Sequence, residues 1–273
     1  MTRSEPLRVL VFGAHPDDPD ISAGGTVALW TQAGHHVRLI SLTNGDAGHH
    51  ALGGAPLAWR RRQEAANAGS VLGAEYLTLD HHDGALEPTL ALRAEVIRLI
   101  RTYRPDLILA PRPWDYHPDH RATGQVVQDA AYLLTVPNVV SDAPHLAQQP
   151  VIALLGDRFT RPVPFAPDVV VDTDAVLERK IDAVACHESQ VYEWLPYNRG
   201  ALDAVPGGAA ERRAWLGSQL RERFAQPART YRDLLAARYG AARAAGVASA
   251  EAFEVSEYGH RPTPEEVERL FPF

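Results

Sequence analysis

Residues Val9-Leu10-Val11-Phe12-Gly13-Ala14-His15-Pro16-Asp17-Asp18 form an apolar run that ends in one imidazole and two carboxylates. A second run, Leu107-Ile108-Leu109-Ala110-Pro111, precedes the string His117-Pro118-Asp119-His120 in the same way. Short apolar runs rich in β-branched and aliphatic residues favour buried β-strands. Each polar cluster is therefore predicted to lie at the carboxyl end of a strand.

The rest of the chain continues this alternation of strand-like and helix-like segments. The predicted strands are Leu7–Gly13, Val37–Thr43, Glu75–Leu79, Asp106–Ala110, Val151–Leu155, Val169–Val171 and Ala252–Ser256. The predicted helices are Gly25–Ala33, Pro56–Leu72, Thr89–Tyr103, Asp119–Leu134, Ala175–His187, 209–224 and 228–244. Alternation of this kind indicates βαβ units. The sequence therefore predicts an α/β fold, a Rossmann-like three-layer sandwich with a mostly parallel sheet and helices on both faces.

The two polar clusters are expected to meet in space. We expect a single domain over residues 1–273, with the last third, about 190–273, as a helical elaboration. In a doubly wound sheet of order 3-2-1-4-5, strands one and four are neighbours, and ligands bind beyond their carboxyl ends. One cluster follows strand one and the other follows strand four. Both clusters are therefore predicted to line one crevice.

Composition narrows the range of partners and locations. The net charge is −7, without the basic excess that is typical of nucleic-acid binders. Cys186 is the only cysteine, so the chain cannot form an internal disulfide. No apolar run approaches the ~18–20 residues of a membrane-spanning helix, and the first residues lack the apolar core of a signal peptide. We therefore expect no nucleic-acid partner, no membrane span and a cytoplasmic location.

The residue types in the two clusters are typical of a hydrolytic metal site. A catalytic zinc ion uses three protein ligands and keeps one position open for water. His15, Asp18 and His120 supply two imidazoles and one carboxylate for this purpose. Zn²⁺ is the expected metal, with Fe²⁺ as the alternative, because the same ligand set accommodates both.

The remaining residues of the clusters supply acid–base groups. Metal lowers the pKa of bound water, and Asp17 is placed to take the proton that this water releases. His117, as an imidazolium, would stabilise the oxyanion and then protonate a leaving amine. Asp119 would orient His117 as an outer carboxylate.

Each cluster taken alone has an ordinary structural explanation. His15-Pro16-Asp17-Asp18 can form a turn, and the two histidines of the second cluster can lie on a helix surface. Their joint placement after adjacent predicted strands favours metal binding. A nucleotide-binding Rossmann protein is disfavoured, because the turn after the first strand lacks Gly-x-Gly-x-x-Gly and carries two negative charges.

Ala14–Asp18, Gly24-Gly25 and His117–His120 resemble the hallmark motifs of the PIG-L/LmbE-like zinc-dependent N-deacetylases. Secondary similarities to this family lie at Arg60 with Glu64, at Lys180, and at His187–Gln190. The family has a Rossmann-like fold and removes acetyl groups from N-acetylglucosamine-type substrates.

Carried over by position, the resemblance implies His15, Asp18 and His120 as metal ligands, Asp17 as general base and His117 as acid or oxyanion-stabilising group. Where many members of the family have Glu, this chain has Pro19, and Asp20 follows. We expect the loop to be stiffer for this reason, with the metal ligands retained.

The resemblance also implies a small-molecule substrate that carries an N-acetylated sugar. The alternative is a metal-dependent amidase for another amide, such as a thiol conjugate or an antibiotic precursor. Candidate substrate contacts are Arg60, Asp46 and Tyr116. Arg60 can instead be a solvated charge beside Arg61 and Arg62 on the exposed side of its helix, Asp46 a turn residue, and Tyr116 a shield for the metal.

Several groups near the predicted crevice keep more than one interpretation. Surface or structural roles are favoured for the pairs His49-His50 and His81-His82, which follow strands two and three. The aromatic segment 192–197 can form a lid or an oligomer contact, and homo-oligomerisation is left open.

Overall fold

The chain forms a seven-stranded, mostly parallel sheet in the computed structural model, which describes residues 5–273. The strands are β1 Arg8–Gly13, β2 His36–Thr43, β3 Glu75–His81, β4 Leu107–Ala110, β5 Val151–Leu155, β6 Val169–Asp172 and β7 Ala250–Gly259. Their order is β3-β2-β1-β4-β5-β7-β6. The first five are parallel, and β7 runs antiparallel to both β5 and β6. The predicted order 3-2-1-4-5 is confirmed, and it places β1 beside β4.

Helices cover both faces of this sheet. They are α1 Asp18–Gln32, α2 Gly54–Leu72, α3 Leu90–Tyr103, α4 Pro118–Ala131, α5 Leu177–Ala185, α6 Leu195–Asn198, α7 Ala209–Thr230, α8 Arg232–Tyr239, α9 Ala241–Gly246 and α10 Pro264–Leu270. Within the described residues, no helix is both long and apolar enough to cross a lipid bilayer.

Successive side chains along the strands pack alternately into two separate hydrophobic cores. Val9 and Val11 of β1 point into a core that includes residues of α1, α2 and α5. Leu10 and Phe12 point into the opposite core, which is covered by α3 and α4. This alternation follows from the period of two in a strand and confirms the three-layer sandwich.

The last third of the chain is more than a helical elaboration. It is helical over much of its length, but it also supplies β7, which lies between β5 and β6 inside the sheet. The single domain over residues 1–273 stays a prediction, and its residues 1–4 lie outside the described part of the chain.

The predicted helix over Gly25–Ala33 begins too late, because α1 already starts at Asp18. Pro19 lies in the first turn of α1, where a backbone N–H has no partner within the helix and its absence costs little. The negative charges of Asp18 and Asp20 interact favourably with the positive end of the helix dipole. The sequence pattern at His15–Asp18 allowed a turn and predicted no helix start there. In fact it combines a turn with a helix start.

The prediction of two helices, over 209–224 and 228–244, is also wrong, because the region forms three. Pro227 lies inside α7, which continues to Thr230, so proline does not end this helix. The next break falls at Gly240, whose φ of 84° suits glycine and separates α8 from α9. Three helices therefore occupy the region.

A buried ion pair joins the last strand to α5, and its carboxylate also accepts hydrogen bonds from α1. Glu251 of β7 contacts Lys180, with Oε1 at 2.6 Å from Nζ, and both side chains are almost fully buried. The backbone amides of Gly25 and Thr26 also donate to this carboxylate, at 2.8 and 2.7 Å. A Cβ on Gly25 would lie 2.7 Å from Thr173, so glycine is required for this close approach.

Glu251→Ala is expected to lower the free energy of unfolding by about 3–5 kcal/mol, because it leaves a buried ammonium group without its partner. Urea denaturation at neutral pH measures this change. Glu257→Ala is the matched control, since the Glu257 side chain lies on the same strand, is 83% exposed and forms an ion pair with Arg261 on the surface. Equal losses in the two variants would contradict the assignment.

Candidate metal and catalytic site

The two polar clusters meet at the carboxyl ends of β1 and β4. His15 lies in the turn between β1 and α1, and Asp18 is the first residue of α1. His120 lies in the first turn of α4, two residues after Pro118. The parallel pairing of β1 with β4 brings both turns to the same edge of the sheet. One crevice therefore holds both clusters.

The three predicted metal ligands have the mutual spacing that zinc requires. His15 Nδ1 lies 3.3 Å from Asp18 Oδ2 and 3.2 Å from His120 Nε2, and the last two atoms are 3.2 Å apart. A tetrahedron with ligands at about 2.0–2.1 Å from its centre has edges of roughly 3.3–3.4 Å. The three atoms therefore fit three corners of a tetrahedral zinc site without rearrangement.

The charges around these ligands favour a cation. Burial lowers the pKa of His15, but Asp18, Asp119 and Asp83 together raise it well above its usual value. Burial also opposes protonation of His120, yet chiefly Asp18 and Asp115 raise its pKa to about 10. The cluster thus stabilises positive charge on its imidazoles. A divalent metal supplies that charge while the imidazoles stay neutral and act as ligands.

Outer carboxylates orient the ligand histidines. His15 presents its other ring nitrogen, Nε2, to Asp83 Oδ1 at 3.1 Å and to Asp119 Oδ2 at 3.3 Å. His120 presents Nδ1 to Asp115 Oδ1 at 3.1 Å. Such partners fix the ring orientation and the tautomer of a ligating histidine. Nδ1 of His15 and Nε2 of His120 face each other across the predicted metal position, 3.2 Å apart.

Asp119 does not orient His117 through its carboxylate, so this part of the prediction is wrong. Its oxygens accept from the amides of Gly84, at 2.7 Å, and Leu86, at 3.2 Å, and contact His15. The backbone amide of Asp119 instead donates to His117 Nδ1 at 3.2 Å, because His117 caps the start of α4. This bond places the proton of the neutral ring on Nε2. Burial, together with the charges of His15 and His120, lowers the pKa of His117, which opposes the imidazolium form predicted from the sequence.

Asp17 lies beside the predicted metal position and forms a buried ion pair. Its Oδ1 accepts from Arg61 Nη2 at 2.9 Å, and Arg61 is only 2% exposed. Arg61 Nη1 also donates to the carbonyl of Gly45 at 3.2 Å and lies 3.6 Å from Asp83. The predicted placement of Arg61 on the exposed face of its helix is therefore wrong.

A signal for Arg61 was present in the sequence. The buried positions of α2 include Leu57, Arg61, Ala65 and Ala68, which recur at spacings of three and four residues. Such spacing defines one helix face. Arg61 continues this spacing and Arg60 does not. The spacing therefore distinguishes the buried arginine from Arg60.

Other site residues were missed because they lie just outside the two motifs. Asp83 follows β3, and Asp115 precedes the second motif by two residues. Asp20 and His187 are fully buried and contact each other through Oδ2 and Nε2. The position of Asp20 after Pro19 was noted in the sequence, but its partner lies 167 residues further along the chain.

The structure shows what two of the predicted substrate contacts, Arg60 and Asp46, bind within the protein. Arg60 is occupied by Glu193, at 2.8 and 2.6 Å, and by Glu64, at 3.1 Å, so its guanidinium is engaged within the protein. Asp46 accepts from His82 Nδ1 and from the amide of Asp83, which makes it a structural support of that loop.

Tyr116 lies at the rim of the crevice. It is 72% exposed, and its ring meets the rings of His117 and His120 edge-on, with centroids 5.8 and 5.3 Å away. This position is open to a ligand. Contact of Tyr116 with substrate stays a prediction.

The two histidine pairs, His49-His50 and His81-His82, contact other side chains of the protein. His49 Nε2 lies 2.9 Å from Glu193, and His50 stacks on Tyr197 with centroids 4.1 Å apart. His81 contacts Glu95 at 2.8 Å, and His82 is bound to Asp46 as described above. The structural interpretation of both pairs fits these contacts.

Asp115→Ala is expected to weaken zinc affinity about 10–100-fold, because His120 loses the carboxylate that orients its ring. Competition with a chromophoric chelator measures this affinity. Asp129→Ala provides the control, since Asp129 is exposed further along α4 and accepts a hydrogen bond from Gln125. An unchanged affinity in Asp115→Ala would contradict the role.

The chain is similar to one described protein family and to several named proteins. The chain matches the family model described as "PIG-L: GlcNAc-PI de-N-acetylase" over residues 10–131. It is 34% identical over 209 residues to the diacetylchitobiose deacetylase of Thermococcus kodakarensis, over 70% of this chain and 75% of that protein. It is 28% identical over 204 residues to the 4-oxalmesaconate hydratase of Pseudomonas putida, over 71% of this chain and 78% of that protein. A solved N,N'-diacetylchitobiose deacetylase from Pyrococcus horikoshii matches with a TM-score of 0.68 at 25% identity, over 92% of this chain and 84% of that one.

Proposed function

The chain belongs to the PIG-L family, and we propose that it is a zinc-dependent N-deacetylase that acts on a small molecule containing N-acetylglucosamine. The observation that carries the proposal is the near-tetrahedral spacing of His15, Asp18 and His120. The buried carboxylate of Asp17, one residue before Asp18, is bound by Arg61 through one oxygen. The Thermococcus relative is named a diacetylchitobiose deacetylase, which supports an N-acetylated sugar as the substrate.

The metal would be held by His15 Nδ1, Asp18 Oδ2 and His120 Nε2. When bound there, zinc would lower the pKa of a coordinated water towards neutrality and polarise a carbonyl oxygen. Asp18 is fixed for its role, because its Oδ2 also accepts from the amides of Ala14 and His15, at 3.0 and 2.8 Å. The ligand set suits Zn²⁺ and also accommodates Fe²⁺.

Asp17 would act as the general base. Arg61 binds one of its oxygens, which holds the carboxylate in place and leaves the other oxygen available to accept a proton from water. The oxygen of this water adds to the acetyl carbonyl carbon as its proton passes to Asp17.

His117 would act on the opposite side of the reacting amide. Its Nε2 is the donor of the neutral ring, because Nδ1 accepts from the backbone of Asp119. It can donate to the carbonyl oxygen as negative charge develops there. When the carbon–nitrogen bond breaks, the proton that Asp17 accepted from water would pass to the departing amine, and acetate is the second product.

An acetate-release assay on the purified protein, stripped of metal and reloaded with Zn²⁺ or Fe²⁺, tests the proposal. Substrates are N-acetylglucosamine, its β-1,4-linked disaccharide and its glycosides. We expect acetate and a free amine in equal amounts and only with metal present. The absence of acetate from every N-acetylated sugar would contradict the proposal.

Hydration is the competing reaction, because one relative is named a 4-oxalmesaconate hydratase. Water activated at a metal can add to an activated double bond as well as to an amide carbonyl. The two activities are separated by product analysis, since hydration releases neither acetate nor an amine.

A further inference from the structure

Trp114 lies in the short segment between β4 and α4, three residues before His117. The residue is 37% exposed, and one face of its indole ring is covered by a buried guanidinium. We propose that the free face of Trp114 is a stacking platform for the pyranose ring of the substrate. The proposal rests on the deacetylase function and assigns a specificity-determining residue to it.

The group that covers the indole ring is Arg112. Its guanidinium carbon lies 5.1 Å from the centroid of the Trp114 ring, and its side chain has no exposed surface. Arg112 Nη1 lies 3.4 Å from Asp157 Oδ1, and Nη2 donates to the carbonyl of Val163. Because these contacts fix the guanidinium, the indole ring that packs on it is held in one orientation.

The platform lies on the β5 side of the proposed metal position. β4 pairs with β1 on one side and with β5 on the other. Arg112 follows the last residue of β4 by two positions, and Asp157 follows the last residue of β5 by two, so their ion pair joins the carboxyl ends of these strands. Arg61 and Asp83 lie on the opposite side, towards β3. A substrate at the metal position would be flanked by these two groups of side chains.

The backbone that carries Trp114 is tied to a proposed metal ligand. Asp115, the next residue, places its Oδ1 3.1 Å from Nδ1 of His120. Arg121 Nη1 donates to the carbonyls of Asp115 and Tyr116, at 2.7 and 3.2 Å, which fixes the backbone of this segment. Consecutive Cα atoms are about 3.8 Å apart, so Trp114 lies one short step from a side chain that contacts His120.

An indole face of this kind suits a pyranose ring. The C–H groups on one face of a pyranose form an apolar surface, and a large aromatic ring offers them many dispersion contacts. The charge of Arg112 draws the π electrons of Trp114 towards the covered face, so the free face attracts a second cation less strongly. The arrangement therefore favours a neutral ring. Because the indole is already fixed, little side-chain entropy is lost when such a ring binds.

Steady-state kinetics on methyl N-acetylglucosaminide test the platform. Trp114→Ala is expected to raise KM about tenfold and to change kcat less than about threefold, because stacking holds the ring equally before and during the reaction. The zinc content should stay unchanged. Trp114→Phe keeps an aromatic face and should restore most of the lost affinity. A fall in kcat and zinc content without a rise in KM would overturn the platform.

Trp59→Ala provides the matched control. Trp59 is 65% exposed on α2, so its replacement removes the same side chain from a different surface. This variant should keep the KM and kcat of the unmodified protein. An unchanged KM in Trp114→Ala, with acetate release intact, would overturn the platform and leave deacetylation standing.

Binding without turnover separates the platform from the proposed reaction. Calorimetry and tryptophan fluorescence on the zinc-loaded protein follow the binding of methyl glucosaminide, the expected product. A pyranose that stacks on Trp114 should change the fluorescence, and this change should be lost in Trp114→Phe and kept in Trp59→Phe. Weaker binding in Trp114→Ala supports the platform even if no substrate releases acetate. Equal affinity in Trp114→Ala, or no saturable binding by the unmodified protein, would overturn the platform whatever the outcome of the acetate assay.

Discussion

Replacing His120 by alanine is expected to remove both bound zinc and acetate release. His120 Nε2 is one of three proposed ligand atoms that lie 3.2–3.3 Å from one another, and the two remaining ones would not hold the ion at a catalytic site. The loss of zinc affinity should exceed the roughly 10–100-fold that an outer-shell change causes. Elemental analysis of the metal per chain, beside the acetate assay, measures both effects.

His145→Ala provides the matched control for His120→Ala. His145 is exposed in the segment between α4 and β5 and belongs to neither proposed cluster. It should retain full zinc content and full activity. Stoichiometric zinc in His120→Ala would contradict the ligand assignment and would direct attention to the alternative group of His15, Asp83 and Asp119.

The architecture of this chain could be predicted because its strands are strongly apolar and short. Val151–Leu155 matches the observed strand residue for residue, and the order of the first five strands follows from the alternation with helices. The position of β7 between β5 and β6 could not be predicted, since antiparallel pairing at distant positions leaves no local pattern. The predicted helix ends are less accurate near Pro19 and Pro227, because a proline does not always stop a helix. Pro19 lies in the first turn of α1, and Pro227 lies inside α7.

The sequence could identify those residues of the candidate site that lie within the two short motifs. His15, Asp18 and His120 come together because β1 pairs with β4, which strand order alone implies. Asp83 and Arg61 depend on where a loop and a helix face end up in space, so spacing within a motif could not place them. Arg60 and Arg61 are chemically identical in the sequence, and only the buried face of α2 distinguishes them.

Asp17→Asn is expected to lower kcat about 10²–10⁴-fold while zinc stays bound, because an amide cannot accept the proton that a carboxylate takes. Asparagine is preferred to alanine as the test. It preserves an oxygen for Arg61, whereas Asp17→Ala would leave a buried guanidinium without its partner and would destabilise the fold. Asp17→Ala should therefore lose activity as well, with metal retained where the protein folds.

The neighbouring residue supplies the decisive contrast. Asp18→Asn changes the same functional group one position along the chain, yet Asp18 Oδ2 is one of the three proposed ligand atoms. We expect this variant to lose most of its zinc and activity together, whereas Asp17→Asn loses activity alone. Excess zinc should restore part of the turnover in Asp18→Asn and none in Asp17→Asn. Full turnover by Asp17→Asn would exclude Asp17 as the base.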